Sequence, residues 1–227
     1  MNVSAWTWIR GHKWKLLLAG MVLLLMISPI PGVYDQQDNV ITPLTTVIFL
    51  AAIFGTAKRK WTIWLLTSFT LIWLVISIAT PGSGLFAGLS LLAPLLFMFL
   101  LVTIFILLAR WLVQAEHINS EVLCAAICGY LVLGMLWTGF YAALENIRAL
   151  NHHPDGFVSS IKPRMAVSDL LYFSYATLTT TGYGDIIPRG AEVRMLAVIE
   201  AMVGVFYNTI VIARFVALYG LRIRTAP

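Results

Sequence analysis

The chain has 227 residues, 60% of them apolar and only 11% charged, with a mean hydropathy of +0.88. Soluble domains run at about 45–50% apolar and about 25% charged, so this composition excludes a disordered chain, a coiled coil and an ordinary soluble enzyme and fits an integral membrane protein. A net charge of +5, from 15 basic and 10 acidic residues, would suggest nucleic acid in a soluble protein; here it is read as a determinant of topology.

In chain order, apolar runs predict six membrane helices over about 16–30, 43–57, 61–79, 85–109, 122–144 and 195–218. The first run is short and comes after Arg10, Lys13 and Lys15, the pattern of a secretory signal. Ser28-Pro29-Ile30-Pro31-Gly32 offers no small-x-small cleavage site, so a retained helix is expected. Val40 and Ile41 can extend the second run. Cys124 and Cys128 fall one helical turn apart in the fifth and read as small buried side chains. Trp6, Trp8, Trp14, Trp61 and Trp111 stand near span ends, where interfacial anchors belong.

Basic residues mark one side of the membrane. Arg10, Lys13 and Lys15 precede the first run, and Lys58, Arg59 and Lys60 separate the second from the third. Arg110 comes after the fourth, and Arg214, Arg222 and Arg224 close the chain. The alternate loops lack basic residues: 32–42 carries Asp35 and Asp38, and 80–84 is uncharged. By the positive-inside rule both termini are cytoplasmic and the chain crosses six times.

Between the fifth and sixth runs lies an external stretch, about 145–194. Ser168 can cap a helix there and Asp169 suits its first turn. A helix from 169 to about 179 would be ~16 Å long, roughly half the membrane. The sixth span must start outside, so the chain has to return as a non-helical strand, Thr180-Thr181-Gly182-Tyr183-Gly184. Backbone of that kind is tolerated at membrane depth only where protein or an aqueous cavity surrounds it. Its carbonyls need partners, and cations can supply them.

Thr180-Thr181-Gly182-Tyr183-Gly184-Asp185 matches the selectivity-filter signature of potassium channels. With Leu171-Tyr172-Phe173-Ser174-Tyr175-Ala176-Thr177-Leu178-Thr179 before it, the stretch 121–218 resembles the prokaryotic two-helix pore module of the tetrameric potassium channel superfamily. The resemblance implies an all-α membrane protein of six transmembrane helices, with a re-entrant pore helix and filter between helices five and six. It implies that the carbonyls of Thr180, Thr181, Gly182 and Tyr183, with the Thr180 hydroxyl, replace the hydration shell of a potassium ion. Gly182 and Gly184 tolerate the positive φ that lets successive carbonyls face one side. Tyr183 would point away from the axis. Tyr172 and Tyr175 would form an aromatic cuff around the filter or pack as ordinary core. Asp185 would sit at the outer mouth, where its charge concentrates cations, and the pore helix would aim its partly negative C-terminus at a central cavity. One strand cannot surround an ion and the motif occurs once, so a homotetramer is expected, with K+ as the permeating ligand and no cofactor.

In the last run Gly204 lies twenty residues after Gly184. Channels of similar plan often carry a hinge glycine at this spacing; a small residue for close helix packing is the alternative. Asn208, one turn below, matches a cavity-facing position of inward-rectifier channels, which this stretch resembles locally. A neutral residue there would give weaker polyamine block than an acid. Glu200 is ionisable inside a span and therefore a functional suspect, unless it simply pairs with pore-helix groups. Arg194 could pair with Asp185 of the same or a neighbouring subunit, or stand at the surface without consequence.

Six spans ending in a pore also resemble voltage-gated potassium channels. A voltage sensor needs about three to four basic residues per subunit in the field, and 61–109 has none. Region 1–115 is accordingly read as a four-helix region of unknown role, not a voltage sensor, and 116–227 as the pore domain. The nine residues after Leu218 give no expectation of a cytosolic nucleotide- or calcium-binding domain. His152, His153 and Asp155 could bind a metal or report pH, though a solvated turret accounts for them. Competing readings are a regulatory or poorly conducting subunit of another channel; a secondary transporter, which would show repeats and midplane charges; and an enzyme, for which no catalytic set, metal cluster or phosphate loop occurs. The short tail and two-helix pore resemble bacterial channels, which implies a bacterial inner membrane.

Overall fold

The computed structural model describes residues 12–28, 37–56, 60–79, 92–151, 156–159 and 165–225. They form α1 (Lys13–Ile27), α2 (Gln37–Thr56), α3 (Lys60–Ala79), α4 (Leu92–Val113), α5 (Ser120–Leu150), β1 (Phe157–Ser159), α6 (Val167–Leu178), β2 (Ile186–Pro188) and α7 (Ala191–Thr225). The strands pair antiparallel, Phe157 opposite Pro188 and Ser159 opposite Ile186. Arg10, Lys58, Arg59, the segments 29–36 and 80–91, and the triplet His152, His153 and Asp155 lie outside the described residues.

Each apolar run lies largely within a helix, and the chain is an all-α membrane protein. Among the described residues, three helices contain stretches long and apolar enough to cross a membrane on their own: Pro94–Val113 in α4, Ser120–Ala149 in α5 and Ala191–Tyr219 in α7. Shorter apolar stretches, Thr42–Ile53 and Trp61–Ser77, occupy α2 and α3, and α1 has 15 residues. Pro94 falls in the first turn of α4, where its missing N–H is no loss. The two long helices exceed their apolar runs at the ends. α5 starts at Asn119, whose side chain accepts from Val122 N at 2.9 Å, and carries on through Glu145 and Arg148. It would span about 46 Å and α7 about 52 Å at the usual rise.

The main core is built from α1 (Trp14, Leu17, Met21, Leu24), α2 (Ile48, Phe49, Ala52), α3 (Trp73), α4 (Leu100, Leu101, Ile104, Leu108) and one face of α5 (Ala125, Cys128, Val132, Met135). A single apolar interior thus runs across position 116. The start of α1 is fastened to the start of α5: Glu121 Oε2 accepts from the Trp14 backbone N–H at 3.1 Å, and Lys15 approaches Glu121 Oε1 at 3.8 Å. A second, smaller cluster of Tyr141, Phe157, Leu170, Phe173, Ile186 and Val193 binds α5, α6, α7 and the ribbon together at the other end. α5 is therefore the shared wall, with 61% of its apolar stretch buried. Only 11% of the α7 stretch is buried within the chain.

Candidate functional site: the loop between α5 and α7

The helix α6 begins at Ala166, which takes an extended cap conformation (φ −86°, ψ 164°). Asp169 Oδ2 accepts from the Ala166 N–H at 2.9 Å. The cap is therefore Ala166 rather than Ser168. The reason is that a carboxylate in the first turn reaches back to the free amide and also complements the helix dipole. With 12 residues, α6 is about 18 Å long.

Its C-terminus is closed by residues 179–182 and by α5. Thr179 N–H donates to Tyr175 O (3.0 Å), Thr180 N–H to Thr177 O (2.9 Å), and Thr181 and Gly182 N–H both to Ala176 O (2.8 and 3.1 Å). The last carbonyl, Leu178 O, accepts from the Tyr130 hydroxyl of α5 at 2.9 Å. All four terminal carbonyls that an α-helix leaves open are occupied, and the amides at the base of the strand are spent on the helix. The strand carbonyls of 179–184 are then available to something else.

The backbone of that strand alternates. φ is +58° at Thr180, +55° at Gly182 and +79° at Gly184, and in the described residues Thr180 is the one non-glycine with positive φ. In a uniform extended strand successive peptide groups point to opposite sides; alternating the sign of φ brings successive carbonyls to one side. A Cβ on Gly182 or Gly184 would meet nothing within 4 Å in the chain, so glycine is required there by the dihedral and not by space. Thr180 has no such exemption. A β-branched residue in the left-handed region is a true outlier, and holding it costs about 1–3 kcal/mol.

The other side chains of the loop divide between two directions. Tyr172 stacks on Tyr183 (centroids 6.1 Å apart, 10° between planes) and its hydroxyl donates to Asp185 Oδ1 at 3.2 Å. Tyr175 turns the other way, donating to Leu131 O of α5 at 2.7 Å, with Gly134 leaving room for its ring. The Thr179 and Thr181 hydroxyls lie 2.8 Å apart. Residues 179–184 are exposed in the single chain, Tyr183 at 72%. Beyond the loop, Arg189 N–H donates to Gly156 O (2.7 Å), and Arg148 pairs with Glu192 at 3.0 Å. The exit of the loop is thereby tied to the C-terminal end of α5.

α7 runs as one helix past all the residues marked in it. Gly204 is buried against the base of the loop, and a Cβ there would overlap the Leu178 carbonyl oxygen. Asn208 is exposed one turn further on, and Arg194 is exposed in the first turns. Arg214 Nη2 donates to Val113 O (2.9 Å) and Ala115 O (3.3 Å), capping the C-terminal end of α4 from across the fold. Glu200 is fully buried, at 0% exposure. Its Oε2 accepts from the Tyr141 hydroxyl at 2.6 Å, and its Oε1 lies 2.5 Å from Ser174 Oγ. The sequence flagged Glu200 as an ionisable group in an apolar run. It held no signal for Tyr141 and Ser174, which stand 59 and 26 residues away.

A family model described as "Ion channel" matches residues 129–220. Two curated proteins of Oryza sativa subsp. japonica are also similar to part of the chain. "Two pore potassium channel c" is 33% identical over 91 residues, 40% of this chain and 17% of that protein. "Two pore potassium channel a" is 35% identical over 88 residues, 39% of this chain and 20% of that protein. The chain spans about a fifth or less of the length of these relatives. The matched segment takes in most of α5, all of α6, the alternating strand and most of α7, and it is similar to channels rather than enzymes. Residues 129–220 are thus the part of the chain that is similar to the ion channel family.

Proposed function

We propose that the chain is the subunit of a potassium-selective channel, in which four copies surround one axis and conduct K+ passively across the membrane. The observation that carries this reading is the alternation of φ at Thr180, Gly182 and Gly184. It makes a row of carbonyls on one side of a strand whose amides are partly spent on α6, the arrangement that substitutes for an ion's hydration shell. In this reading the carbonyls of Thr180, Thr181, Gly182 and Tyr183 and the Thr180 hydroxyl bind the ion, and Asp185 lies at the outer mouth. Asn208 faces the cavity, and α7 lines it. The sparse burial of α7 and the exposure of 179–184 within one chain support fourfold assembly, because both surfaces are then covered by copies. The chain crosses six times with both termini in the cytoplasm, α6 is re-entrant, and a bacterial inner membrane is the location. Voltage does not drive the gate through the first four helices, since 61–109 carries no basic residue.

Purified protein reconstituted in liposomes tests this. Potassium flux is expected, blocked by barium and strongly preferred over sodium. The Gly182→Ala variant is expected to lose that preference, because an L-residue in left-handed backbone costs roughly 1–2 kcal/mol at a strand whose geometry is the selective element. Absent or barium-insensitive flux, or unchanged selectivity in Gly182→Ala, refutes the assignment. Native mass spectrometry of the same sample reads the number of copies.

A further inference from the structure

Two of the contacts between α7 and α6 lie one turn apart on each helix: Glu200 against Ser174, and Gly204 against Leu178. The lower contact is bare van der Waals packing of backbone on backbone. The upper one is a fully buried carboxyl group, and its partner Tyr141 packs edge to face with Phe157 and Phe173, the three rings lying 5.0–5.3 Å apart. Neither ion pair of the described residues, Lys15–Glu121 and Arg148–Glu192, involves Glu200. The polar groups that face it are the Tyr141 hydroxyl from α5 and the Ser174 hydroxyl from α6.

Counting protons decides its state. Ser174 Oγ lies 2.5 Å from Glu200 Oε1 and 2.8 Å from Gly134 O, both hydrogen-bond distances. A serine hydroxyl has one proton to donate. If Glu200 were a carboxylate, that one proton would serve one contact fully and the other only as a shared, weaker three-centre bond. If Glu200 is a neutral acid, the proton on Oε1 donates to Ser174 Oγ and the Ser174 proton donates to Gly134 O. Tyr141 donates to Oε2, the acid's carbonyl oxygen. Every short contact then holds one proton, in one direction, from α5 through α7 and α6 back to α5. A neutral acid also avoids placing an uncompensated charge inside the membrane.

We infer that Glu200 is held as a neutral carboxylic acid and acts as a positioning residue, joining α7, α6 and α5 in one directed hydrogen-bond chain that sets the pore helix behind the strand 179–184. The chain of bonds stands on the geometry alone. That it positions a selective strand rests on the channel reading.

Infrared difference spectroscopy of the full-length protein at neutral pH, wild type against Glu200→Gln, tests the proton directly. A protonated-acid C=O band present in the wild type and absent from the variant is expected; loss of a carboxylate band instead overturns the inference. The glutamine amide reproduces the neutral acid's pattern, an N–H toward Ser174 and a C=O toward Tyr141, whereas Glu200→Leu leaves the Tyr141 hydroxyl without an acceptor and Ser174 Oγ without its donor. In liposomes the potassium-over-sodium preference of Glu200→Gln should stay within about twofold of wild type, while that of Glu200→Leu should fall roughly tenfold, the scale of one unsatisfied buried pair. Equal loss in both variants, or no loss in either, overturns the positioning role. Should Glu200→Leu fail to assemble, Glu200→Gln and the infrared band still decide. Should the wild type carry no flux, the channel reading fails while the infrared result still settles the proton.

Discussion

Replacing Gly204 with alanine separates two roles that one glycine can have. In a helix, alanine is favoured over glycine by about 1 kcal/mol, so a glycine kept only for flexibility yields a more stable protein when replaced. Here the added methyl would enter the Leu178 carbonyl oxygen, with Leu178 C and Cδ1 each 3.1 Å away. Overpacking of this kind costs about 1–3 kcal/mol. The upper part of that range applies, because the obstacle is backbone already bound to Tyr130 and cannot rotate aside. The net effect is a destabilisation of about 1–2 kcal/mol per chain, a drop of about 2–8 °C in Tm for a chain of this size. Since Leu178 directly precedes Thr179 and the strand, the shift also reaches the carbonyl row, and selectivity should fall with Tm. Gly20→Ala is the control: its Cβ would sit 3.3 Å from Ile48 Cγ1, a side-chain atom that can give way, so Tm should hold or rise. Thermal unfolding monitored by tryptophan fluorescence, with flux selectivity on the same samples, reads both quantities. If Gly204→Ala is as stable as wild type and equally selective, the close approach of α7 to Leu178 is refuted and a hinge role for Gly204 gains the ground.

Charges at the ends of the pore module lead to two further outcomes. Asp185→Asn should lower single-channel potassium current most at low ionic strength and little at high salt, since screening shortens from about 30 Å at 0.01 M to about 3 Å at 1 M; a deficit that does not shrink with salt would place Asp185 away from the mouth. Arg214→Ala removes both donors to the end of α4, so amide exchange at 114–119, read by mass spectrometry, should speed up with the outer ribbon unaffected; unchanged exchange would show that the cap carries no load.

The parts of the fold legible in the sequence were local. A run of apolar side chains forces its own backbone to bond internally in a membrane, so the runs became helices whatever their neighbours. Glycines two apart, one on each side of Tyr183, fix the backbone over a few residues, and the alternation of φ appears there. Features set by distant segments were hidden. For Glu200 the sequence offered a functional role or a pairing with pore-helix groups; it could not name Ser174 or Tyr141, which reach it from other helices. Gly204 read as a hinge or a packing residue with equal logic until Leu178 was placed beside it. Ser168 looked the better cap because capping rules weigh the hydroxyl, whereas Asp169 reaching back made Ala166 sufficient. Nothing in the division at 116 hinted that α1 would bury Trp14, Leu17, Met21 and Leu24 against α5, since helix pairing depends on matching faces that no single run displays.

The backbone at Thr180 has a practical consequence for anyone who wishes to harden this protein. Directed evolution for heat resistance rewards whatever relaxes the native chain, and glycine at 180 would do so by releasing the left-handed threonine at a benefit of about 1 kcal/mol or more. Such a campaign should enrich that change early and, in the same step, discard the hydroxyl at the floor of the carbonyl row. On the channel reading, libraries built for stability should therefore hold codon 180 fixed, because survival on a heating block and passage of an ion would select in opposite directions at that residue.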